Sequence, residues 1–248
     1  MQESTVINVP TKLNPFHIQS DHPRIETLTP IQKESTTTFG LKCKYFCNIN
    51  NDEDYPWYPF NGADGVGEFG EKQCFSHDNQ MALKKHFEQM MAKKDKLVIV
   101  EIGILADEYS RTSTSVFLSN KRDQDVYVGI DIRDLTAFAK PEKNIHILQE
   151  RSENHQSVYR FLNNLGIDKI DVFMIDGHHS INQVYQEWEY VSRLSDDGMV
   201  VLHDTNSHSG PYFAVECIDD NLFDVYKYCN DIRDWGIAIA VRTNKQTI

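Results

Sequence analysis

The sequence predicts an α/β fold in which a doubly wound, mostly parallel sheet ends in an antiparallel hairpin. From about residue 78, apolar runs of strand length alternate with segments of helical period, as in successive βαβ units. The strand-like runs are apolar at almost every position, which is typical of strands covered by helices on both faces. The last two runs, 223–228 and 236–241, are separated by a loop too short for a parallel crossover, so we expect that pair to be antiparallel.

The individual elements are predicted from hydrophobic period and from boundary residues. The first helix begins near residue 78, with Ser76 or Asp78 as its N-cap. Pro141 ends a short helix because it lacks the amide hydrogen that a helix interior needs, and Gly166 ends the next helix. In chain order we predict a helix from about 78, strand 97–102, a helix around 116–118, strand 126–132, a helix around 135–138, strand 145–148, a helix over 158–165, strand 171–175, a helix over 181–194, strand 199–202, a helix over 213–218, and strands 223–228 and 236–241.

The helix after strand 171–175 carries signals at both of its ends. Ser180 and Gln183 are predicted to form a capping box at its start. The Asp196-Asp197-Gly198 run predicts a turn before the next strand. The predicted buried stripe of this helix is Ile181, Val184, Tyr185, Trp188, Val191 and Leu194.

The charge and hydropathy of the sequence indicate which kinds of partner the protein can bind. The 248 residues carry a formal net charge of −12, which argues against a nucleic-acid partner because phosphate binding requires a basic face. Apolar runs fall short of the roughly 18 residues of a membrane span, and the first residues lack the pattern of a signal peptide. We therefore expect a cytoplasmic protein with a small-molecule substrate, no membrane partner and a possible homo-oligomeric state.

Residues 1–77 differ in character from the regular region at 78–248. Residues 1 to about 40 are polar and lack a sustained period, which predicts an N-terminal extension. Residues 41–75 place aromatic side chains among Gly, Pro, Asn and Asp. That segment is predicted to be an aromatic lid or a subunit contact, and irregular surface packed by its own aromatic side chains is the alternative.

Three cysteines and a histidine of the same region have a loose metal-ligand spacing. They are Cys43, Cys47, Cys74 and His77, and zinc could use such a set. Free thiols in a reducing compartment are the simpler interpretation, because the spacing is not that of a known zinc motif.

Two neighbouring strands are each predicted to end on a carboxylate and imidazoles. One runs into Asp176-Gly177-His178-His179, and the next runs into His203-Asp204. The carboxyl ends of adjacent parallel strands lie at the same edge of a sheet, where ligands bind in open α/β folds. We therefore expect Asp176, His179, His203 and Asp204 to meet there, as a candidate metal and general-base site.

Gly103 and Asp131 predict a nucleoside-binding site at the same edge. A glycine just past strand 97–102 lets a ligand approach the backbone, and Asp131 is placed to accept hydrogen bonds from ribose hydroxyls. The turn after Gly103 contains two acids and no further glycine, which disfavours a pyrophosphate. The pattern favours a nucleoside cofactor without phosphates.

Four motifs follow strands or end them: Val100-Glu101-Ile102-Gly103, Gly129-Ile130-Asp131, Ile175-Asp176-Gly177-His178-His179 and Gly198-Met199-Val200-Val201-Leu202-His203-Asp204-Thr205. They resemble those of class I S-adenosylmethionine-dependent methyltransferases, in particular the small-molecule O-methyltransferase branch with macrocin-type and cephalosporin-hydroxylase-type proteins. The resemblance covers about residues 80–242. It implies a Rossmann-like, seven-stranded methyltransferase fold and methylation of a hydroxyl on a small metabolite or sugar. The alternatives are a related hydroxylase-like enzyme and a cofactor-binding protein without turnover.

The resemblance also implies residues that bind S-adenosylmethionine. Glu101 and Gly103 would line its methionine and ribose side, and Asp131 would hold the ribose. Glu150 and Ser152 would lie near the adenine. The remaining residues implied for the cofactor are Ser113, in the stretch that replaces a Gly/Ser-rich turn, and Asp176.

A divalent metal and a general base are implied in the same way. Asp176 and Asp204 would be metal ligands, with His203 at the place of a further acid. The alternatives are that His203 is a bystander or hydrogen-bonds a neighbour, and that the two aspartates cap loops without a bound metal. Magnesium is the metal expected first, and manganese or iron suits an imidazole better. His179 matches the histidine that resembles a general base, whereas His208 is expected in an exposed loop or closing over substrate.

Overall fold

The structure, a computed structural model, describes residues 31–34, 39–46, 75–104, 112–229 and 234–243. The described residues also include the short 3₁₀ turns Thr136–Phe138, Pro141–Lys143 and Trp188–Arg193. In chain order the elements are β1 (Ile31–Glu34), β2 (Cys43–Phe46), α1 (His77–Lys93), β3 (Val98–Ile102), α2 (Ser113–Asn120), β4 (Val126–Asp131), β5 (Ile145–Gln149), α3 (His155–Asn164), β6 (Ile170–Ile175), α4 (Ile181–Glu187), β7 (Leu194–His203), α5 (Ser209–Cys217), β8 (Phe223–Tyr228) and β9 (Ile237–Arg242).

Seven strands form one sheet in the order β5-β4-β3-β6-β7-β9-β8. Strands β3 to β7 pair in parallel, and β9 pairs antiparallel with both β7 and β8. The predicted α/β class, the mostly parallel sheet and the C-terminal hairpin are confirmed. The chain moves outward from β3 to β5 and then returns to β6, so the strand order reverses between β3 and β6. Such a switch point opens a crevice at the carboxyl ends of the strands.

The hydrophobic core covers both faces of this sheet. Val100 and Phe173 point into one cluster of buried side chains, and Ile99 and Val172 point into the other. Every residue of β4 and of β6 is buried, which explains their nearly continuous apolar sequences.

Helix α1 shows how local sequence sets an element boundary. The hydroxyl oxygen of Ser76 accepts a hydrogen bond from the amide of Asn79, so Ser76 is the N-cap that the sequence predicts. The helix buries Leu83, Phe87 and Met90 against the sheet.

The region between β6 and β7 differs from prediction in three ways. Helix α4 continues as the 3₁₀ turn, and Leu194 begins β7 rather than closing the helix, because it pairs with Ile170 of β6. The residues predicted as a turn, 196–198, lie inside β7, where the pairing with β6 shifts register and the strand bulges. The capping box is only half formed: Ser180 accepts from the amide of Gln183, but the Gln183 side chain donates to Ser152 instead.

The short helix predicted before Pro141 is also different in the structure. Residues 136–138 form a single 3₁₀ turn. Pro141 begins a second 3₁₀ turn, where its missing amide hydrogen costs nothing because first-turn amides have no partner within the helix.

The described part of the N-terminal region packs on the sheet domain. β1 and β2 form a two-stranded antiparallel sheet, and Leu41 belongs to the same buried cluster as Trp188. Residues 47–74 lie outside the described residues, and with them most of the predicted aromatic lid as well as Cys47 and Cys74. The division at residue 77 stays a prediction. Among the described residues, no helix has the length and apolar character that crossing a membrane would require.

Candidate active site

A cavity of about 820 Å³ opens at the carboxyl edge of the sheet. Its wall contains residues that follow all five parallel strands, together with Trp235 from the segment before β9. Of the residues predicted for the site, the wall contains Gly103, Asp131, Glu150, Ser152, Asp176, His179, His203 and Asp204. Glu101 and Ser113 do not belong to the wall formed by the described residues.

Gly103 lies where β3 and β6 meet at the switch point. Its φ of +78° is in the left-handed region, and an added Cβ would lie 1.9 Å from the carbonyl oxygen of Asp176. Only glycine fits here, because both the backbone conformation and the available space exclude a side chain. The ends of the two strands can therefore approach closely and hold Asp176 against the cavity.

Asp131 is held in place by a residue that the sequence did not single out. Its carboxylate accepts hydrogen bonds from the backbone amide of Arg133 at 2.8 Å and from the guanidinium at 2.9 and 3.0 Å. The same guanidinium donates to the carbonyl oxygen of Ile104. Each carboxylate oxygen has two acceptor positions, so Asp131 retains capacity for a ligand at the cavity wall. The only available signal for Arg133 was its position two residues after Asp131.

Glu101 and Ser113 are brought together, but behind the cavity wall. Ser113 donates to one carboxylate oxygen of Glu101 at 2.5 Å, and the hydroxyl of Tyr127 donates to the other. Glu101 is completely buried. Burial raises the pKa of Glu101 to about 7, although the hydrogen bonds from Ser113 and Tyr127 act in the opposite direction. Contact of either residue with a cofactor stays a prediction.

The raised pKa of Glu101 predicts a pH dependence of stability. The folded protein holds a proton that the unfolded chain releases above pH 4.5, so this group lowers the free energy of unfolding as pH rises toward about 7. Glu101→Gln should remove that loss, which amounts to roughly 2–3 kcal/mol. Urea unfolding of both proteins at pH 5 and pH 8, with the exposed Glu142→Gln as control, measures the difference. Parallel stability curves for the wild type and Glu101→Gln would contradict the assignment.

Ser152 belongs to a second buried network beside the cavity. Its hydroxyl donates to Glu187 at 2.6 Å, and the side-chain amide of Gln183 donates to both Ser152 and Glu187. Burial raises the pKa of Glu187 to about 7, against the hydrogen bonds from Ser152 and Gln183. Sequence reasoning missed Glu187, although it lies three positions after Val184 and hence on the buried stripe of α4.

Glu150 lies nearer to solvent than Ser152. It accepts hydrogen bonds from the amide of Arg151 at 2.9 Å and from the side chain of Asn154 at 3.1 Å. Hydrogen bonds from the Ser157 side chain and the Arg151 amide hold the pKa of this carboxyl below its usual value. Glu150 is therefore an ionised acceptor at the mouth of the cavity.

The two strand ends bring the predicted carboxylates and imidazoles into direct contact. His203 Nδ1 lies 3.0 Å from Asp176 Oδ1 and 3.1 Å from Asp204 Oδ1. His179 Nε2 lies 3.0 Å from Asp204 Oδ2 and 3.5 Å from Asp176 Oδ1. Asp204 has a φ of +59°, a conformation that costs a non-glycine residue about 1–2 kcal/mol and that concentrates at functional sites.

These contacts set the charges of the cluster. Burial lowers the pKa of His203, but the carboxylates of Asp204 and Asp176 outweigh it and raise that pKa to about 9. Burial likewise opposes ionisation of Asp176, but the rings of His203 and His179 hold its pKa below the usual value. At neutral pH the cluster therefore holds a protonated His203 beside two carboxylates.

His208 is buried, so the expectation of an exposed loop is wrong. The backbone turns at Asp204, whose carbonyl accepts from the amides of Ser207 and His208, and this turn folds His208 back over His179. The two imidazole centroids are 4.5 Å apart, and His208 Nδ1 lies 3.8 Å from Asp204. Trp235, which the sequence did not indicate, packs against both His203 and His208.

Two sets of side chains in this cluster have the geometry of metal ligands. Their candidate ligand atoms lie within 4.8 Å of one another in Asp176-His203-Asp204 and in His179-Asp204-His208. The first set is the one that the sequence predicted. Its two carboxylates suit magnesium or manganese, and its imidazole shifts the preference toward manganese, iron or zinc.

Comparison with known proteins identifies the family. Residues 63–205 match a family model described as a methyltransferase domain. This match covers more than half of the chain, so the protein belongs to that family, and its sheet with the C-terminal hairpin is the methyltransferase fold. No curated protein matches the sequence.

Solved structures of similar shape are distant in sequence. MycE methyltransferase from the mycinamycin biosynthetic pathway, in complex with Mg and SAH, has a TM-score of 0.48 and 13% identity over 66% of this chain and 50% of that chain. CalS11, a TDP-rhamnose 3′-O-methyltransferase of calicheamicin biosynthesis, has a TM-score of 0.48 and 11% identity over 68% of this chain and 82% of that chain. An rRNA methylase from Streptococcus thermophilus has a TM-score of 0.42 and 12% identity over 63% of this chain and 93% of that chain. The present chain thus spans half the length of MycE.

Proposed function

We propose that the protein transfers a methyl group from S-adenosylmethionine to a hydroxyl of a small molecule, assisted by a divalent metal. Membership in the methyltransferase family supports the reaction class. One observation carries the finer proposal: an imidazole and two carboxylates converge on the same cavity wall as Gly103 and Asp131. Proton acceptor, metal ligands and nucleoside-binding residues thus share one space.

The cavity fits the proposed cofactor. Its volume of about 820 Å³ is within the usual range of small-molecule pockets, about 300–1,000 Å³. We assign the ribose to Asp131 and the adenine end to Glu150 and Ser152, with the backbone at Gly103 open to the methionine portion. S-adenosylmethionine, when bound, supplies an electrophilic methyl group.

The cluster also fits a divalent metal. Asp176, Asp204 and a neutral His203 would hold the ion, which would lower the pKa of an acceptor hydroxyl and orient it. The carboxylates of Asp204, which is buried, and of Asp176, which is partly buried, lie beside the protonated imidazole of His203. A metal ion would replace the proton of His203 as the positive charge beside them.

His179 is proposed as the base that accepts the hydroxyl proton. Its ring is mostly buried on the cavity wall, and Nε2 is 3.0 Å from Asp204 Oδ2. Its backbone is fixed as well, because the His179 carbonyl accepts from the amide of Gly210 at 3.0 Å. The neighbouring carboxylates would stabilise the imidazolium that forms when the proton arrives.

Metal binding should raise the melting temperature. Occupation at about 100 times the dissociation constant stabilises the fold by about 2.7 kcal/mol, or roughly 5–11 °C for a chain of this size. We expect larger shifts with Mn²⁺ or Fe²⁺ than with Mg²⁺, and larger shifts as pH rises, because His203 must release a proton.

A pair of variants controls the thermal-shift measurement. Asp204→Asn should lose the shift because it removes one ligand charge. Asp123→Asn, an exposed change just before β4 at the opposite edge of the sheet, should retain it. The metal would be removed from the proposal if Mg²⁺, Mn²⁺ and Fe²⁺ all left the melting temperature unchanged and if activity persisted in the presence of a chelator.

The proposed reaction is tested by product analysis. The protein is incubated with S-adenosylmethionine and a panel of hydroxylated sugars, phenols and macrolide-like compounds, with and without Mn²⁺. We expect equal amounts of two products: S-adenosylhomocysteine, and an acceptor whose mass has increased by one CH₂ group. If the products were methylated only on nitrogen or carbon, the protein would still be a methyltransferase, but the proposed specificity for oxygen would be overturned.

A further inference from the structure

Two cysteine side chains meet between the N-terminal segment and helix α5. Cys43 Sγ, at the start of β2, lies 2.8 Å from the Sγ of Cys217, the last residue of α5. The two residues are 174 positions apart in the sequence, and both are thiols. We propose that Cys43 and Cys217 are a modification site at which a disulfide forms under oxidising conditions.

The approach of the two sulfurs is imposed by the backbone. The amide of Lys42 donates to the carbonyl of Cys217 at 2.7 Å, and the amide of Asp219 donates to the carbonyl of Gly40 at 2.8 Å. Leu41 and Ile218 form an antiparallel bridge between these two bonds. Because residues next to both cysteines are already paired, the backbone holds the two segments side by side, and a disulfide requires such a close approach of the two backbones.

The two thiols differ in solvent accessibility, and this difference determines which cysteine reacts first. Cys217 is completely buried, and burial raises the pKa of its thiol well above the usual value. Cys43 is partly exposed and therefore meets an oxidant first. Oxidised glutathione is a suitable oxidant: the Cys43 thiolate attacks one of its sulfurs, and one glutathione thiolate leaves.

The second step closes the protein disulfide. The sulfur of Cys217 attacks the Cys43 sulfur of the mixed disulfide, and the second glutathione leaves as a thiol because its sulfur takes up the Cys217 proton. Two protein thiols are thereby oxidised to one disulfide while one glutathione disulfide is reduced to two thiols. The proximity of Cys217 makes this second step intramolecular.

The cross-link would join the N-terminal segment to the helix behind the candidate active site. Helix α5 begins directly after His208, and the amide of its Gly210 donates to the carbonyl of His179. Neither cysteine belongs to the described cavity wall. We therefore expect the disulfide to stabilise the fold by closing a long loop, and to leave the cavity open to its ligand.

Non-reducing peptide mapping tests the site. The purified full-length protein is equilibrated with mixtures of reduced and oxidised glutathione, quenched by alkylation and digested without reduction. Mass spectrometry should find the peptides of Cys43 and Cys217 joined, with the loss of two hydrogen atoms. The oxidised form should melt on the order of 5–15 °C above the reduced form.

Single cysteine variants separate the disulfide from general oxidation. Cys43→Ser should lose both the joined peptides and the thermal shift, and Cys217→Ser serves as a second test if it folds. Cys229→Ser should retain both effects. The proposal is overturned if Cys43 pairs with Cys47 or Cys74, if it stops at the glutathione adduct, if bound zinc protects it from alkylation, or if both thiols stay reduced.

Discussion

Replacement of His179 by alanine is expected to lower methyl-transfer turnover by roughly 10²–10⁴-fold, the range for loss of a general base. The imidazole is held between Asp204 and Asp176, so its removal takes away the proton acceptor proposed for the reaction. Binding of S-adenosylmethionine should stay near the wild-type value, because the ribose and adenine ends are assigned to other strands. Turnover and cofactor affinity, measured on the same preparation, check both statements.

A neighbouring histidine offers a matched control. His178 lies on the same loop and lines the cavity, yet it belongs to neither metal-ligand set. His178→Ala should therefore change turnover far less than His179→Ala. The pH–rate profile of the wild type should contain a limb with the character of an imidazole, and His179→Ala should lack it. Loss of cofactor affinity and turnover together in His179→Ala would indicate a structural histidine instead.

Replacement of Asp131 by alanine is expected to weaken S-adenosylmethionine binding by about 1.5–3 kcal/mol, or roughly 10–150-fold. The carboxylate is buried at the end of β4 and oriented by Arg133, so a ribose hydroxyl would meet a charged acceptor in a fixed position. Calorimetric titration of the variant measures the loss directly.

Two further variants separate binding from packing at this position. Arg133→Gln removes the guanidinium that orients Asp131 and should weaken binding by less than Asp131→Ala does. Asp134→Ala changes an exposed carboxylate three positions further on and should leave binding unchanged. Equal affinities in the wild type and Asp131→Ala would show that the ribose is held elsewhere.

The order of elements and the meeting of the strand ends could be predicted from the sequence. Apolar runs such as 170–175 have few alternatives to a buried strand, and the short loop before β9 permits only an antiparallel return. Once β6 and β7 are neighbours, the register that pairs Ile175 with Leu202 brings Asp176 beside His203. That contact follows from strand periodicity and the parallel register.

Contacts that depend on how the chain turns after a strand could not be predicted in this way. His208 is buried because the backbone turns at Asp204 in a left-handed conformation, which Asp tolerates but does not require. Gln183 leaves its capping position because buried Glu187 and Ser152 offer its side chain better acceptors. Such choices depend on tertiary neighbours rather than on local sequence.

Titration calorimetry with S-adenosylmethionine tests the central claim most directly. Wild-type protein is titrated with the cofactor in the presence and absence of Mn²⁺, and S-adenosylhomocysteine is added as a competitor. We predict saturable binding of one molecule per chain, competition by S-adenosylhomocysteine, and weaker binding to Asp131→Ala than to Asp134→Ala. Absence of binding to the folded wild-type protein under both conditions would contradict the assignment of the cavity to S-adenosylmethionine.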